Sequence, residues 1–165
     1  VSEDGGARFV LGTVGEHPLV CVGVNPSTAT PEKLDATVTR VARRARALGF
    51  DSWVMLNLYP QRSTDPAGLD RTADPALMAV NEREITRVFA TRQGALLAAW
   101  GILIGSRPYL AESARRIVAI AEAAGWSWSA LGELTAAGHP RHPLYVRSDA
   151  PLTPFDARRY VVQLP

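Results

Sequence analysis

The sequence has little of several residue types that define whole classes of protein. Its 165 residues include one cysteine, Cys21, and one lysine, Lys33. A single cysteine excludes an internal disulfide, a zinc cluster of thiolates and a four-cysteine iron–sulfur site. The three histidines are dispersed, so we predict neither a metal site nor a cofactor. Because Cys21 lies within an apolar run, we expect it to be a core residue rather than a nucleophile.

Long apolar segments and a strong net charge are also missing. The longest nearly apolar run, residues 95–104, is only about half of the roughly 20 residues that cross a bilayer. Eighteen basic residues against sixteen acidic ones give a net charge of +2. That value does not by itself indicate nucleic-acid binding, so only a local cluster of arginines could support it. We therefore expect no membrane association.

The remaining composition is that of an ordinary folded domain. Hydrophobic residues make up 47% and charged residues 21% of the chain, outside the range in which chains stay disordered. The length predicts a single domain over residues 1–165, and we expect a monomer. Residues 1–7 lack the apolar segment of a secretory signal, and with one cysteine this favours a cytoplasmic location.

Short apolar segments alternate with stretches of helical periodicity, which is the order of an α/β protein. Strands are predicted over residues 19–24, 53–58, 95–100 and 126–131, with helices over 31–48, 74–89 and 108–124. We predict a three-layer α/β/α sandwich with a central, mostly parallel four-stranded sheet. Sheets of this kind bind ligands beyond the carboxyl ends of their strands.

Two of the predicted strands are followed or ended by an asparagine. Asn25 follows the first and Asn57 ends the second. A carboxamide both donates and accepts hydrogen bonds, as the edge of a nucleobase does. Each residue also has an ordinary interpretation, because Asn57 can cap the next turn and Asn25 before Pro26 is a common turn starter. Neither residue alone decides between the two.

Four short blocks, taken in order, resemble the uracil-DNA glycosylase superfamily: Gly23-Val24-Asn25-Pro26, Val54-Met55-Leu56-Asn57, Leu96 to Gly101, and His142-Pro143-Leu144. The chain is more similar to a bacterial and phage family of unknown function. Its pattern runs Asn-Pro-Ser-Thr-Ala, Asp-x-Thr, Arg-x-Thr-Asp-Pro, Ala-Trp-Gly and Pro-x-His-Pro-Leu-Tyr. These blocks fall on residues 25–29, 35–37, 62–66, 99–101 and 140–145.

The resemblance implies a uracil-DNA glycosylase-like fold and a hydrolase that cleaves the N-glycosidic bond of a damaged, mismatched or modified base in DNA. Asn57 would hydrogen-bond the extruded base, and His142 would donate to the base carbonyl oxygen on which negative charge develops. Asn25 would hold the attacking water through its side-chain oxygen. Because an amide is not a general base, we expect any hydrolysis to be slow.

The same resemblance implies further substrate contacts at Pro26, Ser27, Trp100 and Leu144. Leu144 would fill the gap left by a flipped base, and an ordinary core leucine explains it as well. His139 offers a competing register for the histidine block, but His142 directly precedes Pro-Leu-Tyr, as the closer family requires.

Four arginines are candidate phosphate contacts. Arg40, Arg43 and Arg44 share one face of the first predicted helix, and Arg141 adjoins His142. A solvated helix face accounts for the first three equally well. Arg62 could join Asp35 and Asp65 in a polar cluster, or these three could form ordinary loop contacts.

Two other functions remain open. The chain could process a free nucleoside or nucleotide, or it could bind a nucleic acid or nucleotide without turnover. In each case the expected partner is DNA, a nucleotide or a nucleobase. All three hypotheses require Asn25, Asn57 and His142 to converge around one cavity.

Overall fold

A computed structural model describes residues 1–165, with the exception of the Pro66 side chain. The described chain forms an α/β fold with a six-stranded mixed sheet and four α-helices. The strands are β1 (Leu11–Gly12), β2 (Pro18–Gly23), β3 (Ser52–Asn57), β4 (Ala95–Ala98), β5 (Trp128–Leu131) and β6 (Leu152–Pro154). The helices are α1 (Ala36–Ala47), α2 (Pro75–Thr91), α3 (Pro108–Ala123) and α4 (Ala157–Val162). The strand order in the sheet is β1-β3-β2-β4-β5-β6.

The four predicted strands form the centre of the sheet. β3, β2, β4 and β5 pair in parallel, with Gly23 opposite Asn57 and Val22 opposite Ala98. The prediction of four strands is wrong in number, because β1 and β6 add antiparallel edges to β3 and β5. These edge strands have two and three residues, too few for alternation of side chains to reveal them in the sequence.

The sheet lies between two helical layers. Side chains alternate along each strand, so Leu19 and Cys21 share one face while Val20 and Val22 share the other. The first face packs on α1 through residues such as Val38, and the second packs on α2, α3 and α4. This arrangement corresponds to the predicted three layers.

Polar caps set where the first two helices begin. The Asp35 carboxylate accepts a hydrogen bond from the backbone N–H of Val38 at 2.8 Å, so α1 begins at Ala36 rather than near residue 31. Asp74 caps α2 in the same way, with Pro75 as the first helical residue, as the sequence predicted. The caps place the amino ends of both helices at the carboxyl edge of the parallel strands.

The order of the strands fixes where a ligand site can form. β2 is followed by α1 and β3 on one side, whereas β4 is followed by α3 and β5 on the other. The connections therefore diverge at the carboxyl ends of β2 and β4, and open α/β sheets bind ligands in the crevice at such a switch point.

Candidate functional site

The switch point brings three predicted site residues to one edge of the sheet. Asn57 ends β3, Asn25 lies two residues beyond β2, and His142 packs against Gly101 just beyond β4. A Cβ built at Gly101 would lie 3.4 Å from the His142 Cβ, and the φ of Gly101 is +61°. Since β3, β2 and β4 are adjacent, the three residues lie at or near the ends of neighbouring strands.

The Asn25 side chain is held by the backbone around it. Its amide nitrogen donates to the carbonyl oxygens of Pro26 at 3.0 Å and Ser63 at 2.9 Å. Both amide hydrogens are thereby used, which fixes the orientation of the half-buried carboxamide. The oxygen Oδ1 remains as the acceptor that could hold a water molecule.

Asn57 lies deeper than Asn25 and supports it. The side chain is 2% exposed. Its amide fits its surroundings when the nitrogen donates to the carbonyl oxygens of Asn25 at 3.2 Å and Leu56 at 3.3 Å. A Cβ at Gly23 would come within 3.1 Å of this carboxamide, so the glycine leaves room for it. A ligand could reach Asn57 only if the residues that bury it, including Asn25, moved.

The tautomer of His142 follows from its hydrogen bond. Its Nδ1 accepts from the backbone N–H of Leu144 at 3.3 Å, so the neutral ring carries its proton on Nε2. Burial lowers the pKa of His142 from its usual 6.5, while the nearby Asp35 carboxylate acts in the opposite direction. At neutral pH the ring is therefore an uncharged donor through Nε2–H.

The other predicted contacts occupy different positions around this crevice. Pro26 is buried, whereas Ser27 and Leu144 are half-buried. Tyr145 is 80% exposed, and its ring centroid lies 5.7 Å from that of His142. The sequence block that contains Tyr145 gives no signal that this aromatic side chain is exposed.

Trp100 lies on the opposite face of the sheet. It is completely buried, and its Nε1–H donates to the Tyr160 hydroxyl at 3.1 Å. Tyr160 in turn lies 2.8 Å from Nδ1 of His139. Burial raises the pKa of Tyr160 to about 12, so this hydroxyl stays protonated. Trp100 and His139 thus belong to the packing beneath α4, which leaves His142 as the histidine at the crevice.

The predicted phosphate contacts do not form one free basic face. Arg44 is 7% exposed and donates to the carbonyl oxygens of Ala150 and Arg147, at 2.5 and 2.7 Å. Arg40 is exposed but donates to Val146 O at 2.9 Å. Arg44 therefore ties α1 to residues 146–150 and is not free for a phosphate on the helix face that it was predicted to share with Arg40 and Arg43.

The two remaining candidate arginines lie nearer the solvent. Arg43 is exposed. Arg141 is half-buried and donates to the carbonyl oxygen of Glu133 at 2.8 Å. Both keep part of the guanidinium available to an anion.

Arg8 was missed by the sequence analysis, which placed Arg62 either in a polar cluster with Asp35 and Asp65 or in ordinary loop contacts. Arg8 is 3% exposed and donates from NH1 to the carbonyl oxygen of Ala29 at 2.7 Å. Arg62 donates to the same oxygen at 3.0 Å and to Ser27 O at 3.1 Å. The sequence offered no signal for Arg8, whose position depends on the antiparallel bridge between Ala7 and Gln61.

A comparison with family models bears on this arrangement. The model described as "Protein of unknown function (DUF1643)" matches residues 8–144. The chain belongs to this family. Its match confirms the predicted membership of a family of unknown function, while the resemblance to uracil-DNA glycosylases stays a prediction. No curated protein and no solved structure matches the chain.

Three other features are relevant among the described residues: a metal site, a membrane-spanning helix and a nucleophilic cysteine. No group of histidine, cysteine and acidic residues among them could hold a metal ion. None of their helices is long and apolar enough to span a membrane. Cys21 is fully buried, and burial raises the pKa of its thiol to about 12, which opposes a nucleophilic role.

An open cleft of about 1180 Å³ lies at the opposite edge of the sheet. Its lining includes His17, Arg92 and Trp126, at the ends of the elements that face away from Asn25 and His142. Asn25, Asn57 and His142 do not line this cleft, and their convergence around one cavity stays a prediction.

Proposed function

We propose that the chain binds a nucleobase-containing ligand at the carboxyl edge of β2 and β4 and hydrolyses its N-glycosidic bond. The observation that carries this proposal is the fixed orientation of Asn25 and His142 on the two sides of the switch point. Each uses one polar atom to bind backbone and leaves the other for a ligand. The ordered resemblance to the glycosylase blocks supports the same assignment.

The two orientations suit the two halves of such a reaction. As the bond between C1′ and the base nitrogen breaks, the electron pair goes to the base, and Nε2–H of His142 donates to its carbonyl oxygen. A neutral donor that is fixed in advance and partly shielded from water stabilises developing negative charge effectively. Water held by Oδ1 of Asn25 adds to C1′ and loses its proton to solvent or to the departing base.

Asn57 takes its predicted place as the base contact only when its cover moves. In the folded protein its amide binds the carbonyl oxygen of Asn25. It therefore positions the Asn25 segment first, and contact with a base requires an opening step. Such a step would add to the slowness expected from an amide in place of a general base.

The second candidate function is binding of a nucleic acid or nucleotide without turnover. The specific observation in its favour is that the water position offers an amide oxygen, which has no useful basicity. This candidate keeps the same crevice and the same ligand class. Formation of product separates it from the hydrolase.

The test is release of free base from a panel of substrates. Oligonucleotides with uracil, hypoxanthine, hydroxymethyluracil or a mismatch would be examined for abasic sites, and free nucleosides and nucleotides for released base by chromatography. Loss of a preorganised donor lowers turnover by about 10²–10³-fold in other enzymes, so we expect His142→Ala, which has no side-chain donor, to lose a comparable factor.

The matched control is His17→Ala, because His17 is exposed at the opposite edge of the sheet. It should leave the rate unchanged. If His142→Ala and Asn25→Ala both keep the wild-type rate, the catalytic assignment is wrong. If the wild-type protein releases no base but binds the ligands, the binding function replaces it.

A further inference from the structure

Two arginines beside the crevice carry charge that the described protein does not neutralise. Arg8 is 3% exposed, and its Nε is buried without a hydrogen-bond acceptor. Neither Arg8 nor Arg62 forms an ion pair with a carboxylate among the described residues. Charged side chains are almost never buried in this way unless a partner compensates them.

The two guanidinium groups also lie side by side. Both donate to the carbonyl oxygen of Ala29, Arg8 at 2.7 Å and Arg62 at 3.0 Å. Burial is the main cause that lowers the pKa of Arg8, and the neighbouring charge of Arg62 lowers it further. Bringing two like charges together in a poorly hydrated place is unfavourable unless an anion binds between or beside them.

Several N–H groups of the two arginines have no hydrogen-bond acceptor within the described protein. A guanidinium has five N–H groups in a planar fork that matches phosphate and carboxylate oxygens. Arg8 uses one nitrogen on Ala29 and Arg62 uses two on Ala29 and Ser27. These bonds fix both forks against the Asn-Pro-Ser-Thr segment, so the geometry needed for an anion is already in place.

The pair is connected to the crevice by Asp35. Its carboxylate is close enough to both Arg8 and His142 to oppose the fall in the pKa of each. Asp35 also caps α1 and forms no ion pair with either arginine, although its charge offsets part of that of Arg8. Arg62 also precedes Ser63, whose carbonyl oxygen accepts from Asn25, so an anion at the pair would lie beside the Asn25 segment.

We propose that Arg8 and Arg62 bind a phosphate group of the ligand, either on a free nucleotide or within a nucleic-acid strand. This inference rests on the proposed function for the identity of the ligand, but the anion site itself does not. A phosphate suits the pair because its oxygens can accept from both forks at once.

The first test is binding of inorganic phosphate to the full chain at constant ionic strength, by calorimetry and by the midpoint of thermal unfolding. We expect saturable binding and a raised midpoint. Loss of a charged hydrogen-bonding partner weakens binding by about tenfold or more, so Arg62→Gln should show that loss. Arg62→Lys keeps the charge without the fork and should fall between the two.

Arg92→Gln is the matched control, because Arg92 also donates to a backbone carbonyl, that of Gly15, but at the opposite edge. It should bind phosphate as the wild type does. Arg8→Gln would be included where it folds, and Arg62→Gln decides the question otherwise. No saturable binding, or an equal response in wild type and Arg62→Gln, would overturn the proposal.

The second test identifies the source of the phosphate. A nucleoside, its 5′-monophosphate and a short single strand would be compared in wild type and Arg62→Gln. Tighter binding of the monophosphate or of the strand than of the nucleoside, lost in Arg62→Gln, supports the site and names its source. A nucleoside that binds as tightly as both would overturn it.

Failure of the two proposals can be told apart. If phosphate binds through Arg62 but no substrate releases a base, the hydrolase proposal fails and the anion site stands. If base is released at an unchanged rate and affinity in Arg62→Gln, the hydrolase stands and the anion site is refuted.

Discussion

The orientation of the Asn25 amide can be tested by the two smallest changes that remove it. Its nitrogen is the described donor to Ser63 O, whereas Pro26 O also accepts from the backbone N–H of Ser63 at 2.9 Å. Asn25→Ala therefore leaves the carbonyl oxygen of Ser63 without its donor and removes one of the two donors to the carbonyl oxygen of Pro26. At about 0.5–1.5 kcal/mol for each hydrogen bond, we expect the free energy of unfolding to fall by about 1–2 kcal/mol.

Asn25→Asp should be worse than Asn25→Ala at neutral pH. It places a carboxylate oxygen where the nitrogen now lies, 2.9 and 3.0 Å from two carbonyl oxygens. Repulsion there raises the folded-state pKa of the new carboxyl above its unfolded value of about 3.9. The deficit should therefore shrink as the pH falls toward that value, because the protonated acid can donate again.

Urea unfolding of wild type, Asn25→Ala and Asn25→Asp between pH 4 and 7.5 measures both effects. The difference between the two variants isolates the carboxylate, since every other titrating group is shared. If Asn25→Asp is as stable as wild type at pH 7.5, the amide nitrogen does not face these carbonyls. The oxygen would then not be free to hold water, and the proposed role of Asn25 would be refuted as well.

Three further predictions concern the surroundings of the crevice. Burial keeps the pKa of His142 below 6.5, so below that pH the unfolded chain binds a proton that the folded chain does not, and the free energy of unfolding falls. His142→Gln should flatten this fall in urea unfolding, and equal slopes in the variant and the wild type would contradict the prediction. Trp100→Phe loses the bond to Tyr160 and some packing, and should lower the free energy of unfolding by about 1–3 kcal/mol with ligand affinity unchanged, because the ring faces away from the site. Arg44→Met should free residues 146–150 and so increase trypsin cleavage after Arg147 several-fold. Arg43→Met changes an exposed neighbour and should not increase this cleavage. Equal digestion of both variants would refute the role of Arg44.

The local patterns predicted the centre of the fold well. The four parallel strands are largely apolar and mostly buried on both faces, although β5 includes the half-buried Ser129. Such runs need no knowledge of their partners to be recognised. The cap at Asp74-Pro75 is equally local, and α2 begins there. In contrast, β1 and β6 exist only because β3 and β5 offer free edges. Their residues alone do not predict strands.

The positions of two candidate site residues were predictable because they too depend on local strand patterns. Asn25 and Asn57 follow recognisable strands, so topology alone brings them together. The burial of Arg44 depends on acceptors 103 and 106 positions away. The strand alternation of Trp100 places it with Ala98, but which face carries the crevice is known only once α1 is located.

The contacts that preorganise the crevice also restrict its chemistry. A carboxylate at position 25 would supply the general base that the amide lacks, yet the carbonyls of Pro26 and Ser63 need a donor there. Likewise, a proton on Nδ1 of His142 would displace the N–H of Leu144. Both positions therefore favour an uncharged side chain, whereas Arg8 and Arg62 bring positive charge to the neighbouring backbone at Ser27 and Ala29. A ligand that brings its own negative charge fits this distribution better than a neutral nucleoside does.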